Sequence, residues 1–130
     1  MAIAEGKTFQ FEAPEKIRTD YLEAFEYPGK RQLVTYSTKE FSCVCPFSGL
    51  PDFGELIIQY VPKGLCVELK SLKYYLVSYR SIGIYQEAAT DRLHTDLAQL
   101  LSPHYLKITT IYNTRGGIDA TCSIETGSIE

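Results

Sequence analysis

The spacing of apolar residues along this chain changes twice, and that change constrains the fold more than any other feature. Leu33-Val34-Thr35-Tyr36-Ser37-Thr38 is rich in the β-branched and aromatic residues that suit a pleated strand. Residues 55–61 make a second run, closed by Pro62, Lys63 and Gly64. The period then lengthens. Leu72, Tyr75, Leu76 and Tyr79 recur at i, i+3, i+4 and i+7, one apolar stripe of a helix. Gly83 interrupts it, and a second stripe runs from Tyr85 through Ala89, Leu93, Leu97, Leu100 and Leu101 to a stop at Ser102-Pro103. Residues 105–112 return to strand chemistry. Beyond the turn Asn113-Thr114-Arg115-Gly116-Gly117, Ile118, Ala120, Cys122 and Ile124 face one way while Asp119, Thr121, Ser123 and Glu125 face the other. The order β-β-α-α-β-β predicts an α+β chain, an antiparallel sheet with two helices on one face.

All of this fits into 130 residues, the length of one domain. Residues 1–26 read as an irregular arm with a weakly helical stretch near 21–25, ahead of a single domain over 27–130. Residues 42–54, with two Pro and two Gly, read as a structured loop. There is no room for a doubly wound dinucleotide domain beside a substrate domain, so any nucleotide cofactor must be held by another route. Thirteen Lys and Arg against sixteen Asp and Glu give a net charge of −3, which argues against a nucleic-acid partner. No apolar stretch approaches the roughly 20 residues of a membrane span, and the start from Met1 to Lys7 lacks a signal-peptide core. The expectation is a cytoplasmic protein with no membrane partner.

Chemistry-bearing residues cluster in four places. Cys45 lies in the Pro- and Gly-bounded loop with Asp52 seven residues on, a thiol to attack an electrophilic carbon and a carboxyl to shuttle protons. Inert packing is the alternative for any one thiol, and for Cys122, on an apolar strand face, it is the reading adopted. Cys43, Cys45, Cys66 and Cys122 are expected free in a reducing compartment. Cys43 and Cys45 are a candidate pair of zinc ligands, but Cys66, Cys122, His94 and His104 offer no second pair, so no metal is expected. His94 is placed on the solvated side of the second helix.

Lys70 and Lys73, three apart at the start of the first helix, share a face that can grip a phosphate, or form a solvated cationic face. Arg115-Gly116-Gly117 offers backbone amides and a guanidinium to an anion, or is only a hairpin turn. Tyr85-Gln86-Glu87 suits a purine-like ring, with a carboxylate and a carboxamide for its N–H edge and a ring to stack on its face. Its alternative is an acidic helix N-terminus favoured by the dipole.

Together these motifs resemble a family. Cys45-Pro46-Phe47-Ser48-Gly49-Leu50-Pro51-Asp52-Phe53 is similar to the nucleophile loop of 7-cyano-7-deazaguanine reductases in their short single-module form. Glu68-Leu69-Lys70-Ser71-Leu72-Lys73-Tyr74-Tyr75 resembles that family's signature for nicotinamide use along its full length, and Arg115-Gly116-Gly117 falls where the family carries a turn. The similarity runs over about residues 27–125.

The resemblance implies the tunnelling fold, whose small β-β-α-α-β-β subunits assemble into rings with sites between neighbours, here a decamer of two pentamers. It implies an NADPH-dependent nitrile reductase of queuosine biosynthesis, acting on a small-molecule deazaguanine nitrile without direct nucleic-acid binding. Carried over, Cys45 forms a covalent thioimide and Asp52 donates the proton. Val67, Glu68, Leu69, Tyr85, Gln86 and Glu87 bind substrate, and Lys70, Lys73, Arg115 and Gly116 face NADPH. Many members carry His where this chain has Gln86, which hydrogen-bonds but takes up no proton near neutral pH, so Gln86 is assigned to binding alone. Some members carry a Cys where this chain has Ala89, so a protective disulfide from Cys45 to that place is unavailable.

Three rivals remain. A sister group of the same fold adds ammonia to the nitrile on tRNA without reduction, but lacks the nicotinamide signature. A zinc-dependent GTP cyclohydrolase needs a metal set this chain does not offer. A non-catalytic assembly protein would use Cys45 only as packing.

Overall fold

A computed structural model describes residues 3–130; Met1 and Ala2, which open the N-terminal reading above, lie outside the described residues. After two short 3₁₀ turns at Pro14–Lys16 and Thr19–Tyr21 come the strands β1 (Ala24–Glu26), β2 (Val34–Val44), β3 (Pro51–Val61) and β4 (Leu65–Val67). The helices α1 (Leu69–Val77) and α2 (Gln86–Leu101) follow, then β5 (Tyr105–Arg115) and β6 (Ile118–Gly127). The main sheet has the order β2-β3-β5-β6 with every pair antiparallel. Both helices lie on one of its faces, α1 over β2 and α2 over β5 and β6. This is the β-β-α-α-β-β unit and the α+β class that the periodicity predicts.

The face under the helices carries the core. Leu56, Ile58 and Tyr60 of β3 and Leu106 and Ile108 of β5 meet Leu72 and Tyr75 of α1 and Ala89, Leu93 and Leu97 of α2. Each fully buried Leu or Ile contributes about 1.5–3 kcal/mol relative to exposure. A polar knot fixes the two helices against the N-terminal segment. The Asp96 carboxylate, 6% exposed, accepts from Tyr75 Oη at 2.7 Å, Thr19 Oγ1 at 2.9 Å and Arg92 Nε at 2.9 Å. Ile17 and Leu22 are also buried, so residues ahead of β1 pack on their own chain's core.

Several local expectations are corrected. Residues 21–25 are not helical: the 3₁₀ turn ends at Tyr21 and β1 pairs with β4, Ala24 opposite Val67 and Glu26 opposite Leu65. Both strands have three residues, too short for any period to show. Residues 42–54 are not one loop. β2 runs on to Val44 past a bulge between Thr38 and Phe41, and β3 begins at Pro51 with Cys43 opposite Asp52. Proline is tolerated as the first residue of a strand. Gly54 is needed where β3 crowds β5, because a Cβ there would lie 2.7 Å from the Ile111 carbonyl oxygen.

The turn between β5 and β6 is only Gly116-Gly117, both at positive φ (59° and 78°), the two-residue connection that keeps paired strands twisted together. α1 ends at Val77, so Tyr79 reaches the core from the turn beyond it, and Val67 belongs to β4. His94 is half-buried, not solvated, with Nε2 2.9 Å from Thr126 Oγ1. Cys122 does face the helices, but β6 is an edge strand and leaves it half-buried instead of in the core. No helix among the described residues is long and apolar enough to cross a membrane.

Candidate active site

Residues 45–50 connect β2 to β3 in a closed turn. The Cys45 N–H donates to the Leu50 carbonyl at 2.9 Å, and the Gly49 N–H to the Cys45 carbonyl at 2.9 Å. That second bond makes 45–49 a single helical turn, whose first N–H groups have no partner inside it. The Ser48 N–H and then the Phe47 N–H, with the Ser48 hydroxyl, hold the Cys45 thiol below its ordinary value, while Asp52 opposes them. Hydrogen bonds to the charged form favour it, so this thiol is disposed to act as thiolate.

Asp52 stands in β3, its carboxyl 4% exposed and paired with Arg115 at the end of β5. Arg115 was expected to face NADPH; in this chain it partners the candidate proton carrier from 63 positions away. Gly116, beside it, forms the turn. Cys43, two residues before Cys45, lies under the same carboxyl in a closed environment. Burial first, then the charge of Asp52, pushes its thiol up to about 12. The Tyr112 hydroxyl beside Cys43 is the one buried side-chain oxygen without a hydrogen bond among the described residues.

Tyr85, Gln86 and Glu87 come to the same end of the sheet. Gly83 pairs in parallel with Val44, through Val44 N–H to Ile82 O at 2.9 Å and Ile84 N–H to Val44 O at 3.2 Å. The Tyr85 ring packs edge-on against Phe47, centroids 5.9 Å apart. Tyr85 stands just before α2 with no capping bond from its side chain, Gln86 opens the helix half-buried, and Glu87 is exposed.

The remaining candidates lie at the other end. Val67 is wholly buried and donates its N–H to Tyr60 Oη at 3.2 Å. Glu68 caps α1, accepting from the Lys70 and Ser71 N–H groups at 2.8 Å each, and these bonds hold its carboxyl below the usual range. Leu69, Lys70 and Lys73 are exposed, and neither lysine joins a salt bridge among the described residues. Lys70 Nζ sits 5.9 Å over the Tyr74 ring. A groove of about 420 Å³ between α1 and β2 takes in Leu69, Lys73, Leu76, Arg80, Phe41 and Glu40, but not Cys45.

β3 spans the gap between the two groups. Asp52 is near its start, and Val61, which leads to β4 and α1, is its end. At about 3.3 Å per residue those two positions of β3 stand roughly 30 Å apart, and α1 returns from the far one along β2, so that Lys73 shares a groove with Phe41 and Glu40. Cys45, Asp52, Tyr85, Gln86, Glu87 and Arg115 are brought together; Val67, Glu68, Leu69, Lys70 and Lys73 form a separate cluster. Among the described residues no three His, Cys, Asp or Glu side chains converge as metal ligands do.

The sequence reading missed the Asp52–Arg115 pair, the Cys43–Tyr112 wall and the Phe47 and Ser48 N–H donors. Backbone donors have no residue signature, and only the tight Pro46-to-Gly49 spacing hinted at a turn closed on the thiol.

The family model described as QueF-like protein matches residues 51–130. Proteins of Thermotoga petrophila and Thermotoga maritima, each named NADPH-dependent 7-cyano-7-deazaguanine reductase, are 53% identical over 100% of this chain and 94% of their own length. A protein of the same name from Caldicellulosiruptor bescii is 50% identical over 88% of each chain. The crystal structure of the archaeosine synthase QueF-Like in the apo form matches with a TM-score of 0.71 at 26% identity, over 77% of this chain and 98% of that one.

Proposed function

The chain belongs to the QueF-like protein family, and on that premise we propose that it reduces 7-cyano-7-deazaguanine to 7-aminomethyl-7-deazaguanine with two NADPH. The observation that carries this reading is a cysteine in a closed turn, beside a buried carboxyl paired with Arg115. Names of relatives at 50–53% identity point the same way.

Cys45 Sγ adds to the nitrile carbon, and Asp52 takes the thiol proton and passes it to the nitrile nitrogen, giving a thioimide. NADPH, when bound, supplies hydride to that carbon, two electrons in each of two rounds. After the first, the C–S bond breaks and the electron pair returns to Cys45, where the Ser48 and Phe47 N–H groups receive the thiolate. The free imine takes the second hydride and a proton through Asp52 to become the amine. Arg115 keeps the buried Asp52 carboxylate from standing unpaired, which would be costly. The Glu87 carboxylate and Gln86 carboxamide read the N–H edge of the deazaguanine, and Tyr85 lies along its ring.

Lys70 and Lys73 fit the phosphates of the dinucleotide: two exposed cations three residues apart, free of salt bridges among the described residues, beside an apolar groove. The groove beside them does not take in Cys45. In this reading a second copy brings its lysine cluster, with its Glu68 and Leu69, to the cysteine end. Phe47, Leu50, Phe53 and Ile118, between 49% and 72% exposed, give that end an apolar rim for a neighbour to cover.

The test is intact mass of protein with the nitrile and no NADPH. A single adduct that Cys45→Ala abolishes, together with nitrile-dependent NADPH consumption, supports the reading. An adduct without NADPH consumption would move the chain to the chemistry of the archaeosine synthase neighbour, and no adduct would sink covalent catalysis.

A further inference from the structure

The segment 9–12 touches both halves of the cysteine end. The Phe9 N–H donates to the Ser48 carbonyl at 2.8 Å. Its own carbonyl oxygen fills the space where Gly49, at φ 73°, would carry a Cβ. Three residues on, the Glu12 N–H donates to the Ser81 carbonyl at 2.7 Å and the Glu12 carbonyl accepts from Gly83 at 2.9 Å, so Glu12 and Ile82 form a parallel bridge. The Ile82 carbonyl in turn accepts from the N–H of Val44, just before Cys45, at 2.9 Å. The Phe11 ring occupies the place that any side chain at Gly83 would take.

We propose that Phe9, Phe11 and Glu12 form a clamp that holds the turn 45–50 against the start of α2, with Phe9 the positioning residue for the nucleophile. This rests on the reading of Cys45 as that nucleophile. The logic is local. The Ser48 carbonyl belongs to the residue whose N–H and hydroxyl both serve the sulfur, so the Phe9 hydrogen bond limits how that residue can turn. Through Glu12 the same segment holds the approach to Tyr85, Gln86 and Glu87, keeping the substrate edge in register with the thiol. Asp52 from β3, itself paired with Arg115, is the charged group that opposes thiolate formation; Tyr85 reaches the turn only through Phe47. Loosening the clamp leaves Asp52 in place and removes its counterweight.

The experiment is the pH profile of Cys45 alkylation by iodoacetamide in the full chain, read by peptide mass without nitrile or NADPH. Wild type, Phe9→Pro, which removes the N–H donor, and Phe11→Ala, which loosens the clamp from its other side, are compared. Protection of Cys43 in the same digest reports an intact core. The expected result is a midpoint raised by about one unit in Phe9→Pro, a tenfold loss of rate near neutrality, and a smaller rise in Phe11→Ala, with Cys43 still protected. Wild-type midpoints in both variants would overturn the clamp, as would loss of Cys43 protection in both. Neither outcome depends on whether the nitrile is the substrate, since the adduct assay decides that separately.

Discussion

The two ends of the sheet are built in opposite ways. At the cysteine end the backbone and the buried charge are engaged: the 45–50 turn is closed by its own hydrogen bonds, Asp52 is buried on Arg115, and the 82–84 segment is bridged on both sides. At the lysine end Glu68 caps its helix, but Lys70 and Lys73 project into solvent beside an open groove. The difference matches the demands on each. Bond formation at carbon needs a thiol and a proton carrier held within a fraction of an ångström, whereas a cofactor that must leave and be replaced within one reaction needs an accessible anion grip. Rigidity belongs with the chemistry and openness with the exchange.

The largest expected effect breaks the cysteine end alone. Cys45→Ala should lower turnover on the order of a thousandfold or more and abolish the adduct, while NADPH binding followed by fluorescence stays near wild type. Next, Asp52→Asn should lower turnover about 10²–10⁴-fold, the usual contribution of a positioned acid–base group, and slow adduct formation as well as reduction. Equal adduct rates in Asp52→Asn and wild type would remove Asp52 from the first proton transfer.

Lys70→Ala and Lys73→Ala should act from the other side, each raising the KM for NADPH about tenfold, the scale of one charge-assisted hydrogen bond, with the adduct rate unchanged. If either slows adduct formation as much as reduction, the division of labour between the ends is wrong.

The smallest effect separates two cysteines only two positions apart. Iodoacetamide near neutral pH should modify Cys45 and spare Cys43, whose thiol burial pushes up to about 12. Folding holds Cys43 protonated above its ordinary value of 9.0, so the folded state has its full benefit below pH 9 and loses it progressively between about pH 9 and 12. Cys43→Ala should flatten that alkaline limb of a denaturation series.

Much of this was legible in the residues because some elements carry their own period. α2 declares itself by Ala89, Leu93, Leu97 and Leu101 and its Ser102-Pro103 stop, and β6 by strict alternation. The β1–β4 pair was not legible: three-residue strands show no period, and their partnership is set by where the chain returns after β3. Asp52 was read into a loop because Pro51 and Gly54 are loop residues until a neighbouring strand gives them other work, one opening β3 and the other letting β5 approach. Cys45 and Asp52 stood out by chemical type, but what tunes them did not. Peptide N–H groups belong to every residue, and Arg115 meets Asp52 only through the pairing of β3 with β5.

The most direct test of a site shared between the two ends is mixing of inactive copies. Cys45→Ala protein, with intact lysines, and a Lys70→Ala/Lys73→Ala double variant, with an intact thiol, are dissociated together, reassociated, and assayed for nitrile-dependent NADPH oxidation at a cofactor level limiting for the double variant. If neighbours complete each other's sites, the mixture should recover well above the sum of the two separate preparations, because some interfaces pair an intact cysteine end with an intact lysine end. A mixture no more active than that sum, from copies shown by mass to have exchanged, would contradict it.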